Sequence, residues 1–160
     1  MGIDLTEKLS EYYPDAKEEI DEKLPEPLLD ELAITAYADS NYAYDKATYR
    51  SITGLIIFVG RMLVLYILKH QGGIETSTYG VEFIAMKTAV EEVISVHYML
   101  RCLEIKVTKP IFILGDNRSV ILNSTVLSSL LKKKHIAIAY YKTREASAAG
   151  IVHPLKTKDE

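Results

Sequence analysis

The run Ile111-Phe112-Ile113-Leu114, which stops at Gly115-Asp116-Asn117, constrains this chain more than any other stretch. Four consecutive apolar residues with polar ones beyond them are the pattern of a strand covered on both faces, as in a sheet flanked by helices. A carboxylate at the end of such a strand loses water and needs a compensating partner. The question is what else the chain can bring to the same place.

Three strands are expected upstream. Ala33 to Tyr37 alternates and runs into Asp39-Ser40-Asn41, with a polar loop following to Ser51. Gly54 to Val59 and Met62 to Leu68 are rich in Ile, Leu and Val, and Gly60-Arg61 between them suits a hairpin. The stretch from Leu55 to Leu68 is too short to cross a bilayer as a helix, which takes about 20 residues. Gln71-Gly72-Gly73 marks another turn. Ser77 or Thr78 then caps a long helix, because Phe83, Met86, Val90, Val93, His97 and Leu100 recur at spacings of three and four. Glu82 lies in its first or second turn, beside that stripe.

A break at Val107 to Pro110 is expected before the apolar run. Arg118 to Leu131 predicts a helix, and Ile136, Ala139, Tyr140 and Thr143 predict another that Gly150 closes before a strand at Ile151-Val152-His153. The order β-β-β-α-β-α-α-β describes an α/β domain: a mixed sheet of about five strands, three antiparallel and then parallel, with helices packed on it. At 160 residues with 48% hydrophobic content, one core is expected. The domain should start near Leu28, and residues 1–27 predict a solvated acidic arm or a short surface helix.

The net charge of −3 argues at first against a polyanionic partner, but the charge is uneven. Met1 to Glu31 carries eleven acidic residues against three lysines, and the remainder is +5. The body of the chain therefore remains compatible with phosphate binding. The single cysteine, Cys102, allows no internal disulfide and is expected as a small core residue. With no signal peptide in view, an intracellular, cytoplasmic setting is expected, without exclusion of the nucleus or of virus-like particles.

Asp39, Glu82 and Asp116 fall at element ends where they can converge. Clustered carboxylates repel unless cations neutralise them, and hard oxygen ligands select Mg²⁺ or Mn²⁺. Two such ions about 3.5 to 4 Å apart suit phosphodiester hydrolysis. Each acid taken alone also has a structural explanation: turn chemistry for Asp39, a helix-dipole partner for Glu82, a cap for Asp116. His97, on the apolar stripe, is expected as a satisfied core histidine.

Read in order, Thr35 to Asn41 (TAYADSN), Arg50 to Gly54 (RSITG), Ser77-Thr78 leading to Val81 to Ala85 (VEFIA), Gly115-Asp116-Asn117, Lys134-His135-Ile136 with Tyr140, and Arg144-Glu145 resemble the successive signatures of copia-type retroelement ribonuclease H. The likeness runs from about Leu28 to the C-terminus. It implies a ribonuclease H-like fold and two-metal cleavage of the RNA strand of an RNA–DNA hybrid during reverse transcription. It also implies ligation of two Mg²⁺ ions, with Mn²⁺ as a substitute, by Asp39, Glu82 and Asp116, and a covalently linked reverse transcriptase as partner. The chain departs from the pattern at Ala137, Ala139 and Tyr140-Tyr141. The family's fourth acid belongs to a final helix beyond Glu160, which this stretch is expected to lack.

Contacts to the hybrid are expected from Ser40, Asn41, Arg50, Ser51, Asn117, Lys132, Lys133, Lys134 and His135, with Tyr42, Tyr44 and Tyr49 as stacking surfaces. Such a hybrid is read through minor-groove hydroxyls and phosphates. The alternative is a ribonuclease H-fold module kept for protein or nucleic-acid binding. Other nucleases and transposases of this fold place the last acid on a late helix, unlike the order here.

Overall fold

The computed structural model describes residues 9–19, 23, 29–126, 131 and 134–157. Five strands form one sheet: β1 (Leu29–Asn41), β2 (Ile52–Val59), β3 (Met62–His70), β4 (Ile105–Gly115) and β5 (Val152–Lys156). Their spatial order is β3-β2-β1-β4-β5. β1, β2 and β3 pair antiparallel, whereas β4 runs parallel to β1 and β5 parallel to β4. The helices are α1 (Thr78–Cys102), α2 (Arg118–Thr125) and α3 (Ala137–Ala148), the last preceded by a 3₁₀ turn at Lys134–Ile136. The expected element order, mixed sheet and hairpin are all present.

Helix α1 starts where the cap chemistry predicts: Ser77 is extended and its hydroxyl accepts from the Gly80 N–H at 3.3 Å. All six residues of the predicted stripe, from Phe83 to Leu100, are buried. They meet Ile34, Ala36, Leu55, Ile57, Ile111 and Ile113 from the sheet, and Phe83 reaches Tyr140 of α3 with ring centroids 6.0 Å apart. Tyr140, where the chain departs from the family pattern, is thus a core residue.

Several expectations need correction. β4 is covered on one face only: Ile111 and Ile113 are fully buried, but Phe112 is 40% exposed. The described helices lie on that one side. The opposite face presents Tyr37, Ile56, Tyr66, Leu68 and Phe112 outward. The predicted break at Val107 to Pro110 lies inside β4, which continues through a cis Lys109–Pro110 bond and shifts its register against β1 nearby. α2 ends at Thr125, not Leu131, because Val126 turns to extended backbone. The buried Arg144 takes the carbonyls left at that end, donating to Asn123 O at 3.0 Å and Val126 O at 2.8 Å. Cys102 is exposed, since it lies two residues past Leu100 and points off the buried stripe.

The acidic arm is not wholly solvated. Leu9 is 3% exposed, and the Tyr13 hydroxyl accepts from Arg144 Nε at 3.1 Å. Glu18 lies 2.7 Å from His97 Nε2 and forms an ion pair with Lys109 through its other oxygen. His97 is therefore a core histidine held by the arm through Nε2, while its Nδ1 is buried without a hydrogen-bond partner among the described residues. Its partner was hidden because a charge run carries no periodicity. Glu18→Ala should cost about 2 kcal/mol, less than a fully buried pair because Lys109 retains some water. Urea unfolding checks this, and a variant as stable as the parent refutes the contact.

Candidate active site

Sheet pairing brings Asp39 and Asp116 together. β1 and β4 run in the same direction at the centre of the sheet, with Tyr37 opposite Leu114. Two residues further along both strands lie Asp39, still within β1 and opposite Gly54 of β2, and Asp116, just past the end of β4.

Glu82 arrives from α1, in its second turn. One oxygen from each of Asp39, Glu82 and Asp116 can be chosen so that all lie within 4.8 Å of one another. Asp39 and Asp116 are exposed and Glu82 is half-buried. Burial, and then the charges of Asp116 and Asp39, push the Glu82 carboxyl up from 4.5 to about 7, while the Ser40 hydroxyl beside it pulls the other way. A site that raises a carboxyl in this manner is short of positive charge. Three convergent carboxylate oxygens fit a hard divalent cation.

The other predicted residues divide. Asn41 and Arg50 are exposed, as are Tyr42, Tyr44 and Tyr49 in the loop between β1 and β2. Ser51 is only 1% exposed, and its hydroxyl accepts from the Ala43 N–H at 3.0 Å, so it holds that loop from beneath. Asn117 caps α2, accepting from the Ser119 and Val120 N–H groups at 3.0 and 3.2 Å. Ser40 directs a buried hydroxyl into the carboxylate site rather than outward. Lys134 is exposed. Lys132, Lys133 and the His135 side chain lie outside the described residues.

One residue of the site went unpredicted. Gln71, read only as part of a turn, is buried beneath α1 and donates to Thr53 Oγ1 at 2.9 Å and to Val81 O at 3.0 Å. No periodicity or motif marks it. The one available signal is a long amide immediately before two glycines.

This sheet order, with helices on one side and the acids at the strand ends, defines a ribonuclease H-like fold. It superposes on the N-terminal ribonuclease H domain of a Mycobacterium tuberculosis protein with TM-score 0.59 at 8% identity, covering 80% of this chain and 88% of that one. A compost metagenome ribonuclease H1 solved with an RNA/DNA hybrid gives 0.58 at 12% identity, over 78% and 84% of the two chains. A foamy viral protease-reverse transcriptase, also with RNA/DNA hybrid, gives 0.54 at 14% identity, over 88% of this chain and 19% of that one. In sequence the chain is related to the retrovirus-related Pol polyprotein from transposon RE1 of Arabidopsis thaliana, 30% identical over 134 residues, which is 81% of this chain. The chain spans 9% of the length of that curated relative. No protein-family model matches it. Among the described residues no helix is long and apolar enough to cross a membrane.

The raised Glu82 carboxyl makes stability depend on pH. The folded protein holds this proton more tightly than the unfolded chain, so the group carries no penalty below about 4.5 and its full penalty above about 7. In metal-free protein at about pH 8, Glu82→Gln should raise stability by about 1 kcal/mol, the shift being discounted for the water that still reaches the carboxylate. Near about pH 4 the gain should vanish. Thermal unfolding at both values checks this, and a variant no more stable than the parent at the higher pH contradicts it.

Proposed function

We propose that this chain is the ribonuclease H domain of a copia-type retroelement polyprotein, a divalent-metal-dependent endonuclease that cleaves the RNA strand of RNA–DNA hybrids. The observation that carries the reading is the convergence of Asp39, Glu82 and Asp116, from two neighbouring parallel strands and the helix between them, with ligand oxygens within 4.8 Å of one another. The kinship with a transposon Pol polyprotein and the hybrid-bound solved structures of the same fold support it.

In this reading Asp39, Glu82 and Asp116 would together hold two Mg²⁺ ions. Mn²⁺ substitutes. When bound, the cations supply an activated water and stabilise the leaving oxygen of the phosphodiester. The chain's own work is to keep three anions at one edge of a rigid sheet and to seat the hybrid over them. Arg50 and the lysines from Lys132 to Lys134 provide cations for its phosphates, and exposed Tyr42 and Tyr49 provide rings. In the parent polyprotein the domain acts beside a covalently linked reverse transcriptase and removes the RNA template after copying.

The test is a nicking assay on a hybrid labelled in its RNA strand, with Mg²⁺ or Mn²⁺. It is run on this chain and on one extended into the following reading frame, where the resemblance places the fourth acid. Cleavage confined to the RNA strand and abolished by Asp39→Asn is the expected result. Hybrid binding without cleavage by either chain would leave a binding module in its place.

A further inference from the structure

We propose that Gln71 is a positioning residue that sets the distance between the Glu82 and Asp39 carboxylates, and so sets the affinity of the site for its divalent cation. The inference rests on the metal-site reading above.

Gln71 sits just past the end of β3 and is 5% exposed. Three hydrogen bonds hold it. Its backbone N–H donates to Ser51 O at 2.8 Å, fixing it to the residue before β2. Its side-chain amide donates to Thr53 Oγ1 at 2.9 Å on β2 and to Val81 O at 3.0 Å on α1. The two acceptors mark the carboxylates: Thr53 pairs with Ser40, one rung from the Asp39–Gly54 rung, and Val81 immediately precedes Glu82. A single planar amide thus spans from the strand beside Asp39 to the helical turn that carries Glu82. Among the described residues no other side chain donates from β2 or β3 to the first two turns of α1.

The acceptor side of the same amide points to function rather than packing. Gln71 Oε1 is buried with no hydrogen-bond partner. An unpaired buried carbonyl costs stability, and an aliphatic side chain of similar length would fill the space without that cost. What an aliphatic side chain cannot do is donate in two directions at once. Groups that orient metal ligands at one remove typically change metal affinity or activity by about 10- to 100-fold when removed.

The experiment measures Mn²⁺ binding to the intact chain, Gln71→Met and Thr53→Val by calorimetry without nucleic acid. Amide exchange along α1 is followed in metal-free protein, and KM for hybrid and kcat are measured against metal concentration. Gln71→Met should weaken Mn²⁺ binding about 10- to 100-fold, speed exchange in the first turns of α1 while its C-terminal half stays protected, and leave KM for hybrid unchanged. Activity should return at high metal. Thr53→Val, which removes one acceptor and conserves shape, should weaken binding in the same direction but less than Gln71→Met does. It also serves if Gln71→Met fails to fold. Mn²⁺ binding within twofold of the intact chain in every variant that folds overturns the proposal. An intact chain that binds no divalent ion overturns the metal-site reading itself, which separates the two failures.

Discussion

Everything at the candidate site depends on the parallel pairing of β1 with β4 at the centre of the sheet. A parallel neighbour needs a crossover, and α1, whose 25 residues span about 37 Å, supplies it. Because both strands end at the same edge, Asp39 and Asp116 arrive together without a loop to aim them. The crossover helix must start near that edge to return, so its early residue Glu82 comes to the same place. Convergence of the three acids is a property of the topology. It needs little from the local conformation of any of them.

The arrangement carries an electrostatic cost that the surrounding structure contains. Glu82 is lifted to about 7 by burial and by two like charges, so the metal-free site is tense near neutrality. Rigid neighbours keep it from relaxing: the Ser77 cap starts α1, the Asn117 cap starts α2, and Gln71 ties α1 to the sheet. Carboxylates on an extended loop would move apart instead. Holding them on strand ends and a packed helix trades stability for readiness to accept a cation.

Strong periodicity and turn chemistry made most of the fold legible from the sequence. Gly60-Arg61 between two apolar runs and the six-residue stripe of α1 state their structures locally, and the three acids could be named from their places at element ends. What remained hidden depends on contacts distant in the chain. Ile111 to Leu114 has the same composition whether one face of the strand is covered or two, so the open face beside Phe112 had no local sign. The end of α2 at Thr125 follows from Arg144, 19 residues later, claiming its carbonyls. Ser51 and Asn117 were placed among surface contacts because a hydroxyl or an amide looks the same whether it faces solvent or holds a backbone N–H. Gln71 was invisible for that reason as well: its importance lies in which two atoms it joins.

The placement of the acidic N-terminal segment fits the same electrostatic scheme. Its described part carries Glu11, Asp15, Glu18 and Glu19, and a segment of that sign near Asp39 and Asp116 would raise Glu82 further and repel a phosphate backbone. Glu18 instead docks on Lys109 and His97, and Lys109 lies seven residues before Asp116 along β4, about 20 Å away in an extended strand. That distance exceeds the screening length at physiological salt, about 8 Å. The segment thus pairs with Lys109, well back along β4 from the carboxylate edge. The uneven charge read from the sequence is therefore in part a matter of spatial separation: the acidic strap is tied to the middle of β4, away from the end of that strand beyond which Asp116 lies.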